Sequence, residues 1–335
     1  MNSQQDLLDL RGLTVTFPGR ERPVRVVEDF DLTVGAGERV ALVGESGSGK
    51  SVTAKTVLRM NPRARVEGRV TFDGVDLLAL SENQMRSYRG ASIGVVFQDP
   101  LSALDPRMRI GRQVEECLWI RGVGRAQARE RALTALEEMQ VPRAVERLKA
   151  YPHELSGGMR QRVVIAMAMI AEPRLLIADE PTTALDPRVQ DEVLELMYQA
   201  SERRGLAVIF ITHDLGLVAD FADRVVVMYA GRKAEEASVE DLFGNPVHPY
   251  TRALLHAVPR IDGPIGALEP IAGSPPTPAA RPAGCAFHPR CRARLEAVEA
   301  GVLEEGRCRT EQPALTAPGP GRTVSCHLVA AGRVS

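Results

Sequence analysis

One octapeptide limits this chain more than any other feature. Gly44-Glu45-Ser46-Gly47-Ser48-Gly49-Lys50-Ser51 fits G-x-x-x-x-G-K-[ST] in full. Its glycines let successive backbone N–H groups turn toward one anion, and a helix that follows adds its positive N-terminal end. Lys50 brings a mobile positive charge to outer phosphates, and Ser51 a hydroxyl ligand for Mg²⁺. The loop follows Arg39-Val40-Ala41-Leu42-Val43, the near-continuous apolar run expected of a strand buried on both faces. A helical stretch ending near Asn61-Pro62 comes next. Strand, glycine loop and helix in that order open a nucleotide-binding α/β fold.

A second element fits the same chemistry. Leu175-Leu176-Ile177-Ala178-Asp179-Glu180 is an apolar strand ending in two carboxylates. Asp179, at the strand's C-terminal edge, can hold the metal directly or through water. Glu180 can orient the attacking water or take its proton, because phosphoryl transfer depends on positioning and charge stabilisation. Two adjacent acids say little alone, since exposed loop acids are common. Paired with the glycine loop they say much more.

Composition narrows the class. Lys+Arg number 42 against Asp+Glu 43, so the basic excess of a nucleic-acid binder is missing overall. The longest uncharged apolar run, Val163 to Ala171, is about half of the roughly 20 residues a membrane-crossing helix requires. The start of the chain carries Asp6 and Asp9 and lacks the build of a secretory signal. The expectation is a cytosolic chain whose five cysteines are thiols or metal ligands, not disulfides.

Patterning gives the organisation. Leu13 to Phe17 and Phe30 to Val34 alternate as strands do. From about Asp99 to Glu154 the chain turns helical, with Ala128, Ala132, Ala135, Leu136 and Met139 on one face. Buried-strand patterns return at Leu175 to Ala178, Ala207 to Thr212 and Val225 to Tyr229. Pro259 to Gly284 is rich in proline and glycine and reads as a linker or an extended wrap. The expected fold is an α/β phosphate-loop core with an antiparallel β subdomain, an inserted helical subdomain and a small C-terminal extension. The expected domains are 6–258, with the helical part about 99–154, and 259–335.

Leu155-Ser156-Gly157-Gly158-Met159-Arg160-Gln161-Arg162 resembles the signature sequence of ATP-binding-cassette ATPases. The resemblance covers about Leu8 to Arg232. It implies that Ser156, Gly157 and Gly158 contact the γ-phosphate of an ATP held by a second subunit, so that two subunits sandwich two nucleotides. It also implies roles for further residues. Gln98 looks like the lid-loop glutamine that senses Mg²⁺ and the membrane partner. Asp186, in Ala184-Leu185-Asp186, looks like part of the loop exchanged across the dimer, and His213 like the switch histidine reaching the γ-phosphate. Phe17 resembles the aromatic that stacks on adenine; a core strand aromatic is the other reading, and Gly19 to Pro23 is an insertion beside it. The cofactors implied are ATP and Mg²⁺.

Asn245-Pro246-Val247-His248-Pro249-Tyr250-Thr251 resembles the C-terminal extension of oligopeptide and dipeptide importer ATPases. Read for itself, His248-Pro249-Tyr250 is a turn before an amphipathic helix. The resemblance implies two transmembrane permease subunits, a second homologous ATPase making a heterodimer, an extracytoplasmic solute-binding protein, no nucleic acid, and a peripheral place on the cytoplasmic face of a membrane. Di- and oligopeptides are the first expectation for cargo, with nickel, glutathione or another small solute as alternatives. A soluble ATPase acting on nucleic acid or ribosomes is the reading from another class.

Cys285, Cys291, Cys308 and Cys326 lie on the tail. Four thiolates can hold a [4Fe–4S] cluster or a tetrahedral zinc, and buried free thiols are the third reading. The set resembles the four-cysteine region of peptide-importer ATPases, which implies an iron–sulfur cluster. The gap from Cys291 to Cys308 is long for that pattern, and Arg292 to Arg307 reads as an extra charged helix. Cys117, alone in a helical apolar context, reads as a small core residue.

Overall fold

The computed structural model describes residues 6–183, 185–257 and 271–330. Strands β1 (Leu8–Phe17), β2 (Val24–Val34) and β3 (Arg39–Val43) lead to helix α1 (Lys50–Val57), then to β4 (Arg65–Phe72) and β5 (Val75–Asp76). Helix α2 (Glu82–Tyr88) precedes β6 (Ile93–Val96). A helical run follows: α3 (Pro100–Ala103), α4 (Ile110–Trp119), α5 (Arg125–Glu138), α6 (Ala144–Arg147) and α7 (Gly157–Met169). Strands and helices then alternate through β7 (Leu175–Asp179), α8 (Pro187–Arg204), β8 (Ala207–Thr212), α9 (Gly216–Phe221) and β9 (Arg224–Tyr229). The remainder is β10 (Arg232–Ser238), α10 (Val239–Gly244), α11 (Pro249–His256), α12 (Arg292–Glu299), α13 (Arg307–Thr310), β11 (Thr316–Gly319), β12 (Arg322–Val324) and α14 (His327–Ala330).

The chain divides into two compact units. One is built on residues 34–39 and 73–211, the other on 8–33, 40–72 and the chain from 212 onward. In the first unit β7 lies between β6 and β8, parallel to both. Every residue of β7 and β8 is buried, which is why these strands read as unbroken apolar runs. Parallel neighbours need a crossover, and α8 supplies the one from β7 to β8. Asp186 caps the start of α8 with its carboxylate, Pro187 follows in the first turn, and Gly205 ends the helix in the left-handed conformation. Helix α5 buries Ala128, Ala132, Ala135 and Leu136, the stripe its spacing foretells.

In the second unit β1 pairs antiparallel with β4, its register broken between Arg11 and Thr14. Strand β3 runs parallel to β9, and β9 pairs antiparallel with β10. The C-terminal segment joins the same unit by its backbone: β12 pairs antiparallel with β10, and β11 with β12. A sheet edge leaves unpaired N–H and C=O groups, and this tail covers one. Beneath it Val247, Leu303, Cys308, Val324, Cys326, Leu328 and Val329 form a buried cluster. The start and end of the stretch Pro259 to Gly284 differ in status: residues 259–270 lie outside the described residues, whereas Pro278–Ala280 form a short 3₁₀ turn.

Candidate active site

Strand β3 delivers the chain directly into the glycine loop. A Cβ on Gly44 would stand 2.2 Å from the Met228 carbonyl oxygen, so only glycine lets the loop leave the sheet there. Gly47 and Gly49 sit at φ 80° and 104°, values that side chains rarely adopt. The Lys50 ammonium donates to the carbonyl oxygens of Gly44 at 2.6 Å and Glu45 at 3.1 Å. Ser48 is buried, and its hydroxyl oxygen has no hydrogen-bond partner among the described residues. A tightly wound loop with an inward lysine and an unsatisfied hydroxyl fits a polyphosphate. Ser51, in the first turn of α1, stands where a hydroxyl can meet a phosphate-bound Mg²⁺.

Glu45 is fastened more heavily than its place in a loop requires. Its N–H donates to the Tyr250 hydroxyl at 2.9 Å, and its carboxylate takes two hydrogen bonds from Arg290, at 2.6 and 3.0 Å. Tyr250 is fully buried, with ring centroids 4.5 Å from Tyr229 and 5.3 Å from Phe287. The turn that presents it is set by its neighbours. The buried Glu235 carboxylate accepts the N–H groups of Val247 and His248, and the His248 ring caps α11 by accepting the Tyr250 N–H at 3.0 Å. So His248-Pro249-Tyr250 is a turn before a helix, and it also reaches the glycine loop. Tyr250 and Arg290 were not marked by the sequence as loop partners. Tyr250 stood in a recognisable segment, whereas nothing around Arg290 pointed to a target 245 residues earlier.

Phe17 ends β1 half-buried and lines a cleft of about 750 Å³ with Arg22, Arg25, Arg65, Pro278 and Ala279. It is not enclosed in the core, so its face is available to a planar ligand.

In the other unit, Asp179 closes β7 and is 5% exposed. Glu180 follows at φ 48°, the left-handed region, with its N–H bonded to the Ile211 carbonyl at 2.9 Å. Its Oε2 accepts from Gln98 at 2.8 Å and from the Thr183 hydroxyl at 3.1 Å. The structure thus brings Gln98 and Glu180 together. Ser156 caps α7 by accepting the Met159 N–H, and Gly158 lets α7 approach α8: a Cβ there would lie 2.6 Å from Val189 Cγ1. Ser156, Gly157, Gly158, Leu185 and Asp186 line one depression of about 670 Å³. Ala184 lies outside the described residues. Back in the unit of the glycine loop, His213 is exposed just past β8, followed by Asp214, whose N–H bonds the Thr212 hydroxyl.

The expectation of a metal site at Cys285, Cys291, Cys308 and Cys326 finds no support in the side-chain arrangement. Among the described residues no group of three or more His, Cys, Asp or Glu side chains is arranged to hold a metal ion. The four thiols do gather: Cys308 and Cys326 belong to the apolar cluster, Cys285 packs against it, and Cys291 lies near enough to Cys326 and Cys308 for ionisation of either to disfavour its own. Burial explains their state. It pushes the Cys285 and Cys291 thiols up to about 12, and raises Cys308 and Cys326 as well. Cys117 is half-buried in α4, its thiol also raised by burial.

A phosphate-cradling loop between a buried strand and a helix, with a second acidic strand edge and a capped small-residue helix start, defines an ATPase of the ATP-binding-cassette type. Residues 27–183 match the model of the ABC transporter family, and residues 234–297 that of the oligopeptide/dipeptide transporter C-terminal region. The chain is 47% identical to a probable peptide ABC transporter ATP-binding protein of Sinorhizobium fredii, over 96% of this chain and 94% of that one. It is 43% identical to the oligopeptide transport ATP-binding protein AppD of Bacillus subtilis, with 96% of each covered. To OppD of Salmonella typhimurium it is 44% identical, over 96% of this chain and 93% of that one. Among solved structures, the ATP-binding cassette MJ0796, dimeric with ADP and phosphate, superposes with a TM-score of 0.63 at 28% identity, covering 69% of this chain and 98% of that one. The chain belongs to the ABC transporter ATPase family, in its oligopeptide/dipeptide branch.

Proposed function

We propose that the chain is the ATP-hydrolysing subunit of an importer that carries di- or oligopeptides across the cytoplasmic membrane. The observation that carries this reading is the bond from the Glu45 N–H to the Tyr250 hydroxyl, 2.9 Å long. It fastens the nucleotide loop to the very segment that the oligopeptide/dipeptide family model covers. In this reading Gly44 to Ser51 cradle the phosphates, Ser51 and Asp179 hold Mg²⁺ with Gln98, and Phe17 stacks on adenine. Glu180 orients the attacking water and His213 reaches the γ-phosphate.

Ser156, Gly157 and Asp186 serve the nucleotide of a second, homologous ATPase subunit, and the exposure of Ser156 and Gly157 supports that role. The assembly has two membrane permeases and an extracytoplasmic solute-binding protein, with this chain on the cytoplasmic face. No helix among the described residues is long and apolar enough to cross a membrane, which supports a peripheral place. Names of relatives that specify peptide transport support peptide cargo.

An iron–sulfur cluster on Cys285, Cys291, Cys308 and Cys326 rests on donor chemistry alone, and forming it requires the four thiols to ionise and close on one another. Iron and sulfide assays on anaerobically purified protein decide it, and protein free of both ends that reading.

The transport reading is tested by purifying the chain with its membrane partners and measuring uptake of labelled tripeptide into vesicles. ATP-dependent uptake that Lys50→Ala abolishes is the expected result. Intact ATP hydrolysis without peptide uptake would remove the peptide cargo.

A further inference from the structure

Glu45 is the second residue of the glycine loop, and every polar group it has is engaged. Its N–H meets the Tyr250 hydroxyl, its carbonyl oxygen accepts from Ser48 N–H at 3.2 Å and from Lys50 at 3.1 Å, and both carboxylate oxygens accept from Arg290. The lysine that would meet the phosphates therefore rests on the same residue that the C-terminal segment grips.

The gripping side chain is itself immobilised. The Arg290 side chain is 5% exposed. Besides Glu45 it donates to the Tyr229 hydroxyl at 3.3 Å and to the carbonyl oxygens of Ala272 at 2.9 Å and Gly273 at 3.3 Å. A planar guanidinium with its donors distributed among fixed acceptors holds a carboxylate in one orientation, as a lysine ammonium does not. Burial works against its charge, but the bonds to Glu45 and Tyr229 outweigh this and hold the guanidinium firmly protonated. Arg290 directly precedes Cys291, so the clamp arises from the cysteine-bearing module.

The geometry points to Arg290 as a positioning residue for ATP binding: by fixing Glu45 from the C-terminal module, it sets the shape in which the glycine loop receives the triphosphate. The inference rests on the nucleotide reading of the loop and adds to it a residue from outside the loop. A tie that serves only to hold the module in place would look similar in the folded protein, so its test needs a readout that such a tie leaves unchanged.

The experiment uses the full chain with MgATP as probe, measuring Kd by calorimetry, KM and kcat by steady-state hydrolysis, and melting temperature. Arg290→Ala and Arg290→Lys are expected to raise Kd and KM roughly tenfold, with kcat changed less than about twofold. Glu45→Gln should produce the same rise, and combining it with Arg290→Ala should add nothing further. Arg322→Ala is the comparison. It removes bonds of 2.9 and 2.8 Å that tie the same module to the Asn245 and Asp241 carbonyls, and it should lower the melting temperature without moving Kd. Should Arg290→Ala not fold, Arg290→Lys and Glu45→Gln carry the test. Unchanged Kd in the Arg290 variants beside a lowered melting temperature overturns the proposal and leaves a structural tie. Wild-type protein that binds no MgATP overturns the underlying nucleotide reading as well.

Discussion

The side-chain amide of Gln98 donates a hydrogen bond to the carboxylate of Glu180 across 2.8 Å, joining positions 82 residues apart. The Thr183 hydroxyl bonds the same oxygen, and Glu180 is held in a left-handed backbone conformation that costs a non-glycine residue roughly 1–2 kcal/mol. A carboxylate kept in a strained position by two donors is aimed, and Gln98 reaches it from the segment following β6. A displacement of that segment would change the orientation of the carboxylate.

Glu180→Gln keeps the acceptor for Gln98 and Thr183 but removes the base. Hydrolysis of MgATP should fall by roughly a hundredfold or more while affinity for MgATP is kept, and an ATP-bound dimer should accumulate. Steady-state turnover and size-exclusion chromatography with ATP measure both. Turnover at the wild-type rate would remove Glu180 from the role of base.

Gly158→Ala places a methyl group 2.6 Å from Val189 Cγ1, between the start of α7 and the first turn of α8. Overpacking of this kind costs about 1–3 kcal/mol. The variant should melt lower than the wild type, and adding Val189→Ala should restore much of the loss. Equal melting temperatures for wild type and Gly158→Ala would show that the contact yields freely.

The parts of the fold legible in the sequence are those whose burial leaves a one-letter trace. Strands β3, β7, β8 and β9 are continuous apolar runs, and α5 carries its stripe. Boundaries were less legible. The helix after the glycine loop stops at Val57, short of Asn61-Pro62, because Arg59 turns left-handed and the Asn61 amide bonds back to the Val52 carbonyl. The charged stretch Arg292 to Arg307 breaks after Glu299, where Gly301 takes φ 66°. Strand β10 hides behind Lys233, Glu235 and Glu236, since a buried carboxylate satisfied by backbone N–H groups is written with the same letter as an exposed one. Within the site the loop was legible as a local motif. Its fastening to Arg290 was not, because a single arginine carries no periodicity that names its partner.

The cysteine module responds to pH through its thiols. Burial raises Cys285 and Cys291 to about 12, so the folded state prefers the neutral thiol. Their contribution to stability is complete below the ordinary thiol range near pH 8.5 and is lost as pH climbs from there toward 12. At pH 8 iodoacetamide should label these two cysteines on the order of a thousandfold more slowly in the folded chain than in urea. Peptide mapping of the labelled protein identifies the sites. Rapid labelling of both in the folded state would contradict buried, protonated thiols.

His248 gives the opposite dependence, on the acid side. Its ring is buried and caps α11 through Nδ1, which must be unprotonated to accept the Tyr250 N–H. Burial lowers its pKa from the usual 6.5 to about 4, with a bond to Ser325 opposing. Because the folded value lies below the unfolded one, the stability His248 lends is complete above pH 6.5 and is lost as pH falls from 6.5 toward 4. The full loss is about 3 kcal/mol at about 1.4 kcal/mol per pH unit. Asparagine is a good helix cap that does not titrate, so His248→Asn should melt close to the wild type at pH 5 while lying below it at pH 7.5. Thermal melts at pH 7.5, 6 and 5 read the two slopes. The same Tyr250 fastens Glu45, so the wild type should also bind MgATP more weakly over this range, and His248→Asn should flatten that decline. Identical pH slopes in the two proteins would show that another group senses the acid.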